Sequence, residues 1–311
     1  MGTTNHPDGI RLMTLCSRYH IPNLVIVSGL LLTTLACART VHSPCVASPQ
    51  SIPARLGNAR NATAFFDLVA GMTERQRDSA ILSELQSGNI PDFLRNLQPV
   101  SLVSRASDGT ALSLTLCVMA DYLSIGSDTD FSRMPMELNT ALLVAEQFGF
   151  TLPTPQMVDL IYGQAPLHMA PQPLPAGNDM RSSEYYRLHN VMVKLQREAS
   201  GMGLEVLTAG HKKDLVLSTR LWNMPGRVAI YGWQLPSGLP IQPLSTVHGS
   251  HYADYSHGVR LVSNTVYVNG AARSMDDVIG DPKLAPLLST EGPLPSLTAW
   301  LARIVNRTDG S

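Results

Sequence analysis

The chain has 311 residues, of which 44% are hydrophobic and 15% charged, and a net charge of −1. That length allows one large domain or two small ones, and the apolar fraction excludes global disorder. The near-neutral charge excludes a general nucleic-acid binder, which needs a basic surface to neutralise phosphates. The four cysteines, at 16, 37, 45 and 117, show neither metal-knuckle spacing nor a dense disulfide framework.

Residues 24–36, LVIVSGLLLTTLA, form a 13-residue run without charge, preceded by Arg11 and Arg18. The run is too short to span a bilayer, which takes about 20 residues, and fits the core of an export signal. Ala36-Cys37-Ala38 supplies an A-x-A cleavage site, and Thr34-Leu35-Ala36-Cys37 resembles a bacterial lipobox in which Cys37 would carry lipid. Thr34 replaces the usual leucine there, and Met13 is an alternative start. The expectation is a signal peptide over 1–38 and an exported protein: periplasmic, secreted, or held to the membrane only through an N-terminal lipid. Residues 39–60, rich in Pro and Ser without an apolar period, read as a flexible tether. Of the cysteines left after export, Cys117 sits in an apolar run and reads as inert packing, although a bond to Cys45 is open to it.

In the remainder, a single domain over 61–311, Thr73 and Gln76 form a capping-box pattern that opens a helix running to Ser87. Residues 98–106 and 110–119 read as two strands of a hairpin. Pro135 opens a helix that Gly149 stops, Thr154-Pro155 opens another, and Ser182 or Ser183 caps a third reaching about Ser200. Beyond Gly203 come short β-branched runs between Gly and Pro turns, with helices near 274–280 and 296–306. The predicted class is α+β, with a mostly helical layer (61–202) packed on a mainly antiparallel sheet (203–311).

Four of the nine histidines fall between 211 and 257. Gly210-His211-Lys212-Lys213-Asp214 places an acid–base group, two cations and a carboxylate between predicted strands. By itself that reads as a polar turn. As a site, Asp214 would orient His211 and the lysines would hold anionic oxygens. The second group runs from His248 to Arg260, with His248, His251, Asp254 and His257 recurring every three residues. That step alternates faces of a strand, so these side chains converge only on a bent loop. They suit metal-free acid–base work, or Zn²⁺ with three protein ligands and a water. Trp233, Tyr252 and Tyr255 add rings with polar tips of the kind that line sugar- or peptide-binding clefts.

His248-Gly249 followed by Ser256-His257-Gly258-Val259-Arg260-Leu261 resembles the signature of L,D-transpeptidases, which reads HG and then SHGC(I/V)R(L/M). In that family a cysteine nucleophile cross-links peptidoglycan. Here no cysteine stands between Gly258 and Val259 and the gap after His248 is shorter, so the acyl-transfer mechanism does not carry over. The matching positions are His248, Gly258 and Arg260.

Two lesser features complete the reading. Asp121-Tyr122 through Asp128 reads as a capped loop that could also wall a cleft, and His189 as a satisfied histidine on a helix. The function expected is an exported hydrolase or lyase acting on an envelope or extracellular polymer, peptidoglycan or polysaccharide. His211, His248, His251 and His257 would supply acid–base groups oriented by Asp214 and Asp254. Lys212, Lys213 and Arg260, with Trp233, Tyr252 and Tyr255, would bind substrate. The alternatives are a zinc-dependent hydrolase using the same loop and a non-catalytic envelope lipoprotein that binds glycan or peptide.

Overall fold

The computed structural model describes residues 43–48, 50–105 and 109–304, all within a unit spanning His42–Ser311. The expected export signal, with Cys37 and Ala38, lies outside the described residues. Among the described residues no helix is long and apolar enough to cross a membrane.

In chain order the elements are α1 (Ala62–Leu68), α2 (Glu74–Gln86), β1 (Gln98–Arg105), β2 (Ala111–Val118), β3 (Ser124–Gly126), β4 (Phe131–Arg133), α3 (Leu138–Phe148), β5 (Phe150–Thr151), α4 (Pro155–Gln164), β6 (Leu167–His168) and α5 (Ser183–Ser200). There follow β7 (Thr208–Ala209), β8 (Lys213–Leu215), α6 (Thr219–Asn223), β9 (Ile230–Gln234), β10 (Pro240–Ser245), β11 (His257–Gly258), β12 (Val262–Ser263), β13 (Thr265–Val268), β14 (Ala271–Ser274), α7 (Met275–Gly280) and α8 (Leu297–Ile304). The class is mixed α+β.

Local chemistry sets the helix ends. The Gln76 amide donates to the Thr73 hydroxyl at 3.3 Å while the Gln76 side chain accepts from the Thr73 amide at 3.0 Å, so the capping box opens α2. Thr154 accepts from the Met157 amide at 3.1 Å to open α4, and Ser182 accepts from Tyr185 at 3.1 Å to open α5. Gly149 ends α3 in a left-handed turn at φ 81°, a conformation that glycine adopts without steric penalty.

The division between helical and strand halves is looser than the sequence suggests. The larger sheet, of six strands, is built around β2, which pairs with β1 on one side and with β12 and β13 on the other. Three of its members therefore come from the first half of the chain. Leu114, Leu116 and Val118 of β2 are fully buried in the main core, along with Leu138, Leu142 and Phe148 of α3. The 204–209 and 259–262 runs form only two-residue strands. Before β12 the chain stays bonded to the segment that follows β2: the Leu261 and Val259 carbonyls accept from the Met119 and Leu123 amides at 3.0 and 2.7 Å.

Of residues 39–60, read above as a tether, the described 43–48 and 50–60 lie along the domain. Cys45 is joined to Cys117 of β2 by a disulfide. The Ser48 and Ser263 hydroxyls share a hydrogen bond at 2.8 Å, and Arg55 donates to Asn89 Oδ1 at 3.0 Å and to the Gly126 carbonyl at 2.9 Å. Among the described residues of this segment the 3-10 turn Pro44–Ala47 is the one repetitive element, so an apolar period gives no sign of their packing.

The second sheet has the order β10-β9-β8-β11 and carries both histidine-rich stretches. The β8 and β11 strands run parallel, with His257 opposite Lys213 and Gly258 opposite Asp214. Two segments some forty positions apart are thereby side by side.

Candidate functional site

Alternation along β8 sends Lys213 and Asp214 to opposite faces, and around them stand two groups of polar side chains. The outer group surrounds His257. Its Nε2 lies 3.8 Å from Asp254 Oδ2, and the edge of Tyr252 approaches its ring at 5.7 Å between centroids. Tyr252 donates from its hydroxyl to Asp254 at 3.2 Å and stacks on His248 at 3.9 Å. The Lys213 ammonium lies 4.9 Å from the centre of the Trp233 ring, within cation–π range, and Trp233 meets Tyr255 at 6.5 Å.

Asp254 is held by its own loop: Oδ1 accepts from the Ser256 amide at 2.8 Å and from the Ser256 hydroxyl at 2.5 Å. Burial alone raises the Asp254 carboxyl, but His257, Ser256 and Lys213 outweigh it and leave the group below its ordinary value. Burial pushes the His257 imidazole down to about 4 against the pull of Asp254, so the ring is neutral near pH 7. Both ring nitrogens of His257 and the indole Nε1 of Trp233 are buried without a hydrogen-bond partner in the protein. Trp233 also has φ 56°, a left-handed conformation that costs a bulky side chain energy and recurs at functional positions.

The inner group is centred on Asp121, just beyond β2 and fully buried. Arg133 donates to both of its oxygens, at 3.1 Å from Nε and 2.5 Å from Nη2, while Arg197 Nη1 lies 3.5 Å away. His211 Nε2 meets the same carboxylate at 3.0 Å. Burial opposes ionisation of Asp121, yet Arg133 and His211 hold its carboxyl well below the usual range. His211 is pushed down to about 4 by burial despite Asp121, so the neutral ring donates Nε2–H and leaves Nδ1 without a protein partner. Beside it Tyr122 donates to Asp214 at 2.8 Å, and the Arg260 guanidinium lies 4.4 Å from the centre of the Tyr122 ring. Burial raises Asp214 to about 7, with Arg260 and Tyr122 pulling the other way.

Lys212 joins the two groups. It is 1% exposed, and its ammonium donates to the Tyr255 carbonyl at 2.5 Å. Burial and Arg133 bring it down to about 7, offset by Asp254 from the outer group and Asp121 from the inner. Gly258 permits this proximity: a Cβ there would stand 2.6 Å from Tyr122 Cδ1 and 2.8 Å from Lys212 Cβ.

Of the residues singled out from sequence, Lys213, Trp233, His248, Tyr252, Asp254, Tyr255 and His257 assemble in the outer group. His211, Asp214 and Arg260 fall in the inner one. His251 does not join either: it is half-exposed, and its Nδ1 bonds Glu137. Asp214 partners Tyr122 rather than His211, whose own partner is Asp121. Arg260 is turned inward, donating to the Met119 carbonyl at 2.8 Å and the Thr208 carbonyl at 2.6 Å. Among the described residues, no three His, Cys, Asp or Glu side chains converge as a metal ion requires. His189 is fully buried, but with neither ring nitrogen bonded, so it is not the satisfied histidine expected.

Sequence reasoning missed Arg133, Arg197 and the central place of Asp121. An isolated arginine carries no local signal, and only the fold brings Arg133 to Asp121. A cleft of about 340 Å³ borders the outer group, lined among others by Arg181, Ser250, His251 and Tyr252. Tyr252 thus faces both the cleft and His257.

Comparison with protein-family models, curated proteins and solved structures finds no match for this chain.

Proposed function

We propose that the protein is an exported hydrolase or lyase that acts on an envelope or extracellular polymer, peptidoglycan or polysaccharide, through the Asp254–His257 pair. The observation that carries this reading is the parallel pairing of β8 with β11. It gathers a neutral imidazole, an ordered carboxylate, an ammonium group and an indole, and leaves both nitrogens of His257 and Nε1 of Trp233 buried and unbonded. Unpaired buried polar atoms are costly, and perturbed titratable groups concentrate at sites of chemistry.

In this reading His257 takes a proton, from a water in hydrolysis or from a carbon in elimination. Asp254, 3.8 Å from Nε2, stabilises the imidazolium that forms. Lys213 meets negative charge developing on substrate oxygen. Substrate enters from the cleft along Tyr252, and the Trp233 indole donates a further hydrogen bond. Arg260 acts indirectly, holding Tyr122 and Asp214 behind the strand. Export is supported by the apolar run behind Arg11 and Arg18 and by the Cys45–Cys117 disulfide, a bond characteristic of oxidising compartments.

The test is release of soluble product from peptidoglycan and from a panel of polysaccharides by the purified protein and by its H257Q variant. Mass spectrometry separates hydrolytic from unsaturated elimination products. Product release by the wild type, lost in a folded H257Q, supports the reading. No release from any polymer, or full release by H257Q, removes it.

A further inference from the structure

A second cavity lies away from the cleft beside Tyr252, between α1, β4 and α5, with a volume of about 470 Å³. That is within the range of small-molecule sites, roughly 300–1,000 Å³. Its floor is apolar, made by Phe66 of α1 and Phe131 of β4. Phe131 is buried and fixed: its ring packs on Phe93 at 5.0 Å, and its carbonyl accepts from the Asn190 side-chain Nδ2 at 3.0 Å.

The walls carry opposite charge. Asp67 of α1 and Asp130, whose carboxylate caps the start of α1 by accepting from Thr63 at 3.2 Å, supply two negative groups. On α5, Arg187 and Lys194 stand seven positions apart, two turns along one face, and supply two positive groups. Glu184 also lines this wall, at the N-terminal end of α5. Lys194 pairs with Glu198 of its own helix at 3.8 Å, and among the ion pairs formed by the described residues none joins Asp67 or Asp130 to Arg187 or Lys194.

We infer that this cavity binds a short zwitterionic peptide. Its free ammonium would face Asp67 and Asp130, its carboxylate Arg187 and Lys194, and an apolar side chain would lie on Phe66 and Phe131. Two carboxylates on the α1 side, two cations on the α5 side and apolar rings between them match that distribution. This inference does not depend on the acid–base reading of His257.

The dipeptide Ala-Phe is the probe, titrated by calorimetry into the full chain together with N-acetylated and C-amidated forms. Binding of Ala-Phe is expected, weakened about tenfold by blocking either end, which corresponds to about 1.4 kcal/mol. The D67K and R187E variants should each lose about as much, and D67K/R187E should recover part of it, since exchanging the charges lets the peptide bind reversed. H257Q should bind as the wild type does. No saturable binding at millimolar peptide, or binding indifferent to both blocked ends and both single variants, overturns the inference.

Discussion

Reducing the Cys45–Cys117 bond should weaken the fold substantially. The bond closes a loop between positions 72 residues apart, a span that includes α1, α2 and β1. The chain-entropy relation for a closed loop of that length gives about 4 kcal/mol at room temperature. Both ends are buried, Cys117 completely, so the link anchors the 43–60 segment to the central strand of the larger sheet. For a domain of this size, each kcal/mol moves the melting temperature by roughly 2–4 °C, so the shift should be on the order of 10 °C. The assay is urea and thermal unfolding of the wild type with and without reductant, beside C45A. Reductant should destabilise the wild type and leave C45A unchanged. A loss below about 1 kcal/mol, or peptide mapping that finds Cys45 and Cys117 as free thiols in the untreated protein, would refute the reasoning.

Further predictions concern the two polar groups. D121N leaves Arg133 and Arg197 buried without their counter-charge and should cost about 3–5 kcal/mol, read from urea unfolding; under 1 kcal/mol would mean that the pair is not load-carrying. His257 stays neutral in the folded protein down to about pH 4, while in the unfolded chain it takes a proton near 6.5, so it lowers stability as pH falls between those values. Asp214, raised to about 7, acts in the opposite sense, lowering stability as pH rises from about 4 to 7. Removing His257 in H257Q should therefore flatten the acid limb of melting temperature against pH, and an unchanged limb would show that the ring titrates as if exposed. G258A should cost about 1–3 kcal/mol by driving a methyl group into Tyr122 and Lys212, measured by thermal melts; a neutral substitution would show that β8 and β11 part easily.

Elements governed by local chemistry were legible in the sequence. Thr73, Thr154 and Ser182 each cap the helix they predict, because a hydroxyl meets the free amides of the next turn whatever surrounds it. The 98–119 hairpin is legible for the same reason. The composition of the outer group could also be read, since its members cluster at 248–257 with Lys213 and Trp233. Their partners could not. The Asp121 contacts with Arg133, Arg197 and His211 join four separate stretches of chain, and nothing local distinguishes a buried arginine from a surface one.

The meeting of β8 and β11 rests on only two residue pairs. A slip of one position would exchange the faces of Lys213 and Asp214, because the pleat turns successive side chains to opposite sides. The ammonium would then be driven against Tyr122 and Arg260, and the carboxyl would be aimed at Trp233. Gly258 and the fixed contacts of Asp214 thus act as a lock on alignment, and that lock lies among buried charged side chains rather than at the mouth of the cleft.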